Sequence, residues 1–195
     1  ELLKLGVKIS KRTVQRYLPK RGRNSCQTWA TFLRHHTAGI WACDFTVIHD
    51  LLFRPLYIFL IIELKTRRIG HAAVTRSPTD NWAAQQLREA TPWDMGPRYL
   101  IRDRDKKYGF LFSAVARSAG IRELKTPVQS PRANAVCERL IGSLKRECVD
   151  HMLILNRQQL QRTVKEYVGF YNHLRPHQGL RQHIPDPVEP TFQPV

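Results

Sequence analysis

Hydrophobic and polar positions along this chain fall into two kinds of period. Ile40-Trp41-Ala42-Cys43 runs into Asp44 and on through Phe45-Thr46-Val47-Ile48, an apolar stretch with one acid set inside it. Pro55 to Leu64 is apolar as far as Glu63, and Arg68 to Thr75 alternates Ile69, His71 and Ala73. Three such runs, close in sequence and separated by polar residues, predict an antiparallel meander. Ser77-Pro78-Thr79 then opens a helix, with Trp82, Ala83, Gln86, Leu87 and Ala90 at helical spacing. Arg98 to Ile101 predicts a fourth strand running into Asp103, and a helix follows from about Leu111 to Ala119. Gly120 breaks it, and Ile121 to Leu124 reads as a short fifth strand. Ser130-Pro131 supplies a cap and a first-turn proline for a helix reaching about Val149. A last helix, Arg157 to about Leu174, stops before Pro176. This order predicts an α/β fold with a mixed five-stranded sheet flanked by helices.

The ends differ in pattern. Residues 1–20 read as the remnant of a truncated helix-turn-helix: Leu2, Leu3 and Leu5 lead to Gly6, and Ser10 caps a helix from Lys11 to Leu18. Val14, Tyr17 and Leu18 share one face of it, while Lys11, Arg12, Gln15 and Arg16 cover the rest. Such a helix suits a DNA major groove, with Arg12 and Arg16 as contacts, or packs as an ordinary amphipathic element. Residues 21–36 read as a basic linker whose end, near Trp29–Leu33, rests on the next domain. Residues 37–182 form the predicted core and residues 183–195 a proline-rich tail. Glu1 falls inside a predicted helix and is not a methionine, so a fragment is expected. No charged-then-apolar leader opens the chain. The longest apolar run, Leu56–Ile62, falls short of the roughly 20 residues a membrane span needs.

Charge narrows the function. Lys and Arg number 32 against 16 Asp and Glu, a net +16, and 42% of residues are hydrophobic. The chain can build a core, and the surplus charge points to an acidic partner, most commonly nucleic acid. Cys26, Cys43, Cys137 and Cys148 form no CxxC pair, which argues against a zinc ribbon and for free thiols in a reducing cytoplasm. The pairs His35-His36 and His173-x3-His177 lack the cysteines a zinc site would add.

The candidate chemistry lies in the acids. Asp44 sits within a strand, Asp103 at the end of another and Glu138 on a helix. A carboxylate among apolar strand residues is costly unless paired. Converging acids solve this by holding cations, and two Mg²⁺ ions about 3.5–4 Å apart clamp the attacking and leaving oxygens of a phosphodiester. Taken singly, each acid reads as a strand-end or surface carboxylate; their combination carries the inference.

The spacing is specific: 58 residues separate Asp44 from Asp103, and 34 separate Asp103 from Glu138. It resembles the DDE triad of insertion-sequence transposases with a retroviral-integrase-like catalytic core. Ile101-Arg102-Asp103-Arg104-Asp105, followed by Tyr108-Gly109, resembles the stretch around that family's second acid. Ser130-Pro131-Arg132-Ala133-Asn134-Ala135-Val136-Cys137-Glu138 resembles its SPxxN-x3-E segment. Tyr171-Asn172-x2-Arg175-Pro176-His177-Gln178-Gly179-Leu180 resembles its closing YN-x2-RPH-x-GL. Together these cover residues 37 to 182, about three quarters of the chain.

The resemblance implies a ribonuclease-H-like fold and a DDE-type polynucleotidyl transferase. Its cofactor would be Mg²⁺, with Mn²⁺ as the alternative. Asp44 would bridge both ions, with Asp103 on one and Glu138 on the other. Asp105 is the rival second acid, and Lys106 stands where relatives often carry glycine. On the Glu138 helix, Asn134, Glu138 and Lys145 share a face flanked by Arg139 and Arg146. Asn134 is expected to steady the substrate strand. Lys145 is expected either to contact phosphate or to be an ordinary solvated charge. Val136, Leu140 and Leu144 are expected to face the core. His173, Arg175 and His177 either complement the dipole of the last helix or touch DNA. Tyr108 and Tyr171 read as structural.

The implied partners are double-stranded DNA, as element ends and as target, and further copies of the chain in a dimer or larger assembly. No membrane is involved, and the expected location is the cytoplasm, at the bacterial nucleoid. The alternatives are a same-fold nuclease that joins nothing, an inactive DNA-binding remnant, and a basic RNA-binding module, which needs exposed aromatics on the sheet.

Overall fold

The sheet is built around one long strand. In the computed structural model, which describes residues 10, 29–92, 96–126 and 134–187, β1 (Ile40–His49) pairs antiparallel with β2 (Pro55–Glu63) from Trp41↔Glu63 to His49↔Pro55. β2 pairs antiparallel with β3 (Ile69–Thr75). On the other side of β1 lies β4 (Tyr99–Arg102), parallel to it, followed by β5 (Arg122–Lys125), parallel to β4. The order is β3-β2-β1-β4-β5, a mixed five-stranded sheet as the sequence predicts. The chain divides into two units, Glu1–Phe32 and Leu33–Val195, and the sheet belongs to the second.

Alternation along β1 and β2 sorts the side chains onto two faces. Cys43, Phe59 and Ile61 join one apolar cluster with helices α2 (Asp80–Ala90) and α3 (Phe110–Ser118), through Ala83, Leu87 and Phe112. Ala42, Ile58, Leu60 and Ile62 alternate with them and are equally buried. Asp44 has the parity of Ala42, so it belongs to that second set. Helices α4 (Ala135–Glu147) and α5 (Arg157–His173) bury Leu140, Leu144, Leu160 and Val164.

Two loops are fixed by carboxylates. Asp50 turns β1 into β2, accepting the N–H groups of Leu52 and Arg54 at 3.0 Å each and ion-pairing with Arg54 and Arg76 at 2.9 Å. Burial opposes its charge, but the N–H and guanidinium of Arg54, with Arg76 and Leu52, hold the carboxyl well below the usual range. Asp80, in the first turn of α2, accepts the N–H groups of Gly109, Leu111 and Phe112 at 2.8–2.9 Å and so caps α3. A Cβ at Gly109 would come within 2.6 Å of that carboxylate.

Three expectations change. The stretch read as linker is helical at its end: α1 covers Trp29–His36. Four of its eight residues, Trp29, Ala30, Phe32 and Leu33, are apolar, too short a run beside the basic stretch before it to mark a helix by period. The tail begins later than residue 183: His177 bridges to His183, the Asp186 N–H donates to the Asn172 carbonyl at 2.9 Å, and Asp186 pairs with Arg68. On α4, Cys137 takes the core position with Leu140 and Leu144, while Val136 is only half-buried. The predicted start of that helix at Ser130-Pro131 and the helix carrying Arg12 and Arg16 lie outside the described residues.

Candidate active site

The parallel pairing of β1 and β4 sets two acids side by side. Ala42 pairs with Ile101, and two residues further along each strand stand Asp44 and Asp103. A shift of two keeps both on the same side of their strands, at the carboxyl end of the parallel pair, where α/β sheets commonly bind ligands. Glu138 is exposed in the first turn of α4.

Each acid has its own support. Asp44 accepts the Phe45 N–H at 2.8 Å, and the Asn134 amide approaches both its Oδ2 and the Cys43 carbonyl at 3.4 Å. Asn134 thus ties the start of α4 to β1. It is buried, with its Oδ1 lacking a partner among the described residues. Burial pushes the Asp44 carboxyl up to about 7; the Phe45 N–H works against this, and the charges of Asp103, Glu138 and Asp105 add to it. Asp44 therefore feels the charge of both other acids. Among the described residues, however, no three His, Cys, Asp or Glu side chains are gathered tightly enough to hold an ion between them.

Asp103 is anchored through its neighbours. Its Oδ1 accepts the Asp105 N–H at 3.1 Å, and its carbonyl accepts from Arg102 at 3.1 Å. Arg102 is itself buried, paired with Glu123 at 2.6 Å and stacked over Tyr108. Asp105 is occupied differently: it accepts the Lys107 N–H at 3.0 Å and forms a close ion pair with the Lys107 ammonium. Burial opposes its ionisation, but Lys107 wins and holds the carboxyl low.

The remaining candidates scatter. Lys145 is half-buried on α4, and Arg139 and Arg146 are exposed and line a cavity on that helix. His177 is buried against the Tyr171 ring at 4.3 Å, and Tyr171 and Tyr108 are each 5% exposed, in keeping with structural roles. Sequence reasoning passed over Lys107, Arg102 and Arg67. Lys107 was hidden within a Lys-Lys turn, and Arg102 had the look of an ordinary strand-end charge.

Comparison with known proteins bears on the fold. Residues 119–185 match the integrase core domain family, a stretch that includes Glu138 and excludes Asp44 and Asp103. An uncharacterized transposase-like protein of Haemophilus influenzae is 25% identical over 122 residues, 62% of this chain and 56% of its own. The chain thus spans little more than half the length of that curated relative. A chain of the simian T-cell lymphotropic virus intasome superposes with TM-score 0.61 at 18% identity, over 81% of this chain and 59% of its own. The BIV integrase catalytic core superposes with TM-score 0.58 at 17% identity, over 76% and 91%. The protein therefore has the ribonuclease-H-like fold of integrase catalytic cores, and its residues 119–185 match the integrase core domain family.

Proposed function

We propose that this chain is a DDE-type polynucleotidyl transferase, a transposase that cuts DNA at element ends and joins those ends to target DNA. One observation carries the reading: Asp44, within β1, and Asp103, just past the end of β4, each stand two residues beyond the last parallel pair of those strands, and the charge of Glu138 reaches Asp44 as well.

The donor set fits a hard divalent cation. It is made of carboxylate oxygens, and its central member is half-buried and reluctant to ionise beside its neighbours. Asp44, Asp103 and Glu138 would hold Mg²⁺ or Mn²⁺. When bound, such ions polarise phosphoryl oxygen and stabilise the attacking and leaving oxygens. The chain's own residues do the positioning. The Phe45 N–H and the Asn134 amide orient Asp44, Arg102 fixes the backbone at Asp103, and Lys107 keeps Asp105 engaged, which favours Asp103 as the second acid. Water would open one phosphodiester and free a 3′-hydroxyl. That hydroxyl would displace the leaving oxygen of a target phosphodiester, one ester bond forming as another breaks.

The test is strand transfer on short duplexes carrying element ends, with DNA binding measured in parallel. Asp44→Asn and Glu138→Gln should each remove joined and cut products while binding stays within about twofold. Cut products alone from the unaltered chain would make it a nuclease, and neither product would make it an inactive remnant. Loss of binding in step with activity would overturn the assigned roles.

A further inference from the structure

A cavity of about 460 Å³ opens beside α4, between the carboxyl end of α5 and the turn joining β2 to β3. Arg67, Arg139, Arg146 and Arg175 line it, and no Asp or Glu does. Arg175 is engaged: Glu147 accepts from it at 2.8 and 2.5 Å, and its guanidinium lies 5.5 Å from the Tyr171 ring. The other three guanidinium groups have no carboxylate partner among the described residues.

Arg67 is held there at a cost. It sits in the turn after β2 with φ of 63°, a left-handed conformation uncommon for a residue of its kind. Its N–H is bonded to the Glu63 carbonyl at 3.0 Å, which closes the turn. Burial, and then the charge of Arg139, lower its pKa from the usual arginine value, so this cation is partly desolvated next to another cation. Unpaired like charges in a half-buried space are costly. Guanidinium groups match the oxygens of a phosphate in a two-pronged way that lysine does not.

We propose that this cavity is a phosphate-binding pocket that grips the backbone of a nucleic-acid strand, with Arg67, Arg139 and Arg146 as its contacts. Arg139 and Arg146 stand on the helix that carries Glu138, so the cavity opens along the element that bears the third acid. Sharing that helix favours a strand that also reaches the acids over a free anion. Arg139 to Arg146 spans about 10 Å of helix, or about three nucleotides at about 3.4 Å per nucleotide along one strand. The assignment of the ligand as DNA rests on the proposed function; the pocket itself does not.

The experiment measures the affinity of the full chain for a labelled duplex as a function of salt, by fluorescence anisotropy without divalent ions, so no chemistry intervenes. Arg67→Asn deletes the guanidinium with a side chain that tolerates left-handed backbone. It should weaken binding about tenfold at about 0.1 M salt and lower the slope of log affinity against log salt by about 1. Arg67→Lys should restore the slope. Arg139→Gln, on the exposed helix surface, should repeat the loss if Arg67→Asn folds poorly. Unchanged affinity and slope in Arg67→Asn and Arg139→Gln would overturn the proposal. So would inorganic pyrophosphate that raises Tm only when Arg67 is present while the DNA slope stays the same in the variant; that result would assign the pocket to free anions. Asp44→Asn measured alongside should keep the full slope. Failure of strand transfer with an intact Arg67 effect would therefore remove the reaction and leave the pocket standing.

Discussion

At the scale of the residue, Asp44 has the most to explain. Its carboxyl is pushed up to about 7, against about 3.9 for an aspartate in an unfolded chain. Between those values the folded protein keeps a proton that the unfolded chain has lost. Stability should therefore fall as pH rises from about 4 to about 7 and level off above that. Asp44→Asn removes this dependence, and its new amide can meet Asn134 Oδ1, which has no partner among the described residues, after a flip of that side chain. Without divalent ions the variant should be more stable than the parent at pH 8, by up to about 4 kcal/mol. The difference should shrink to nothing near pH 4, and added Mg²⁺ should reverse it at pH 8 by stabilising the parent alone. Thermal melting across that range checks this, and equal stability at pH 8 would contradict the strained, half-buried carboxylate.

At the scale of the element, the region after β4 depends on one cap. Asp80 holds the N–H groups of Gly109, Leu111 and Phe112, so α2 fixes where α3 starts and where the turn from Asp103 to Tyr108 ends. Asp80→Ala leaves these donors unmet and should cost about 1–3 kcal/mol in denaturant unfolding; an unchanged midpoint would show that the cap is dispensable. The elements themselves were legible in the sequence because period, turn residues and caps agreed. The apolar runs of β1 to β3 and the helical spacing from Trp82 to Ala90 left little choice of type. The three acids were singled out by spacing and motif, in a way that no single carboxylate was, and they remain a proposal. What stayed hidden is tertiary. Asn172 pairs with the backbone of edge strand β3, accepting the Ile69 N–H at 2.8 Å and donating to its carbonyl at 3.0 Å. Residues 183–187 dock beyond it through backbone hydrogen bonds and the Asp186–Arg68 pair, contacts between distant segments that periodicity does not encode. Lys107 pairing with Asp105, and Arg67 in a left-handed turn, likewise follow from loop geometry rather than from periodicity.

At the scale of the molecule, a net charge of +16 and the three proposed acids must share one fold. The fold sets Asp44 within β1 and Asp103 just past the end of β4, while Arg139 and Arg146 stand on the helix that carries Glu138. A phosphate backbone can neutralise the arginines, and cations can neutralise the acids. Among the described residues no helix is long and apolar enough to cross a membrane. Binding to duplex DNA should weaken steeply with salt, by about 10³-fold or more between 50 and 200 mM if six or more phosphates are contacted; a flat response would remove the electrostatic argument. The proposed meeting of the three carboxylates is tested most directly by a crystal grown with Mn²⁺ and DNA, its ions located by anomalous scattering. Two peaks shared among Asp44, Asp103 and Glu138 are expected. Saturating Mn²⁺ with no peak there, or with a peak on Asp105 in place of Asp103, would contradict the site as described.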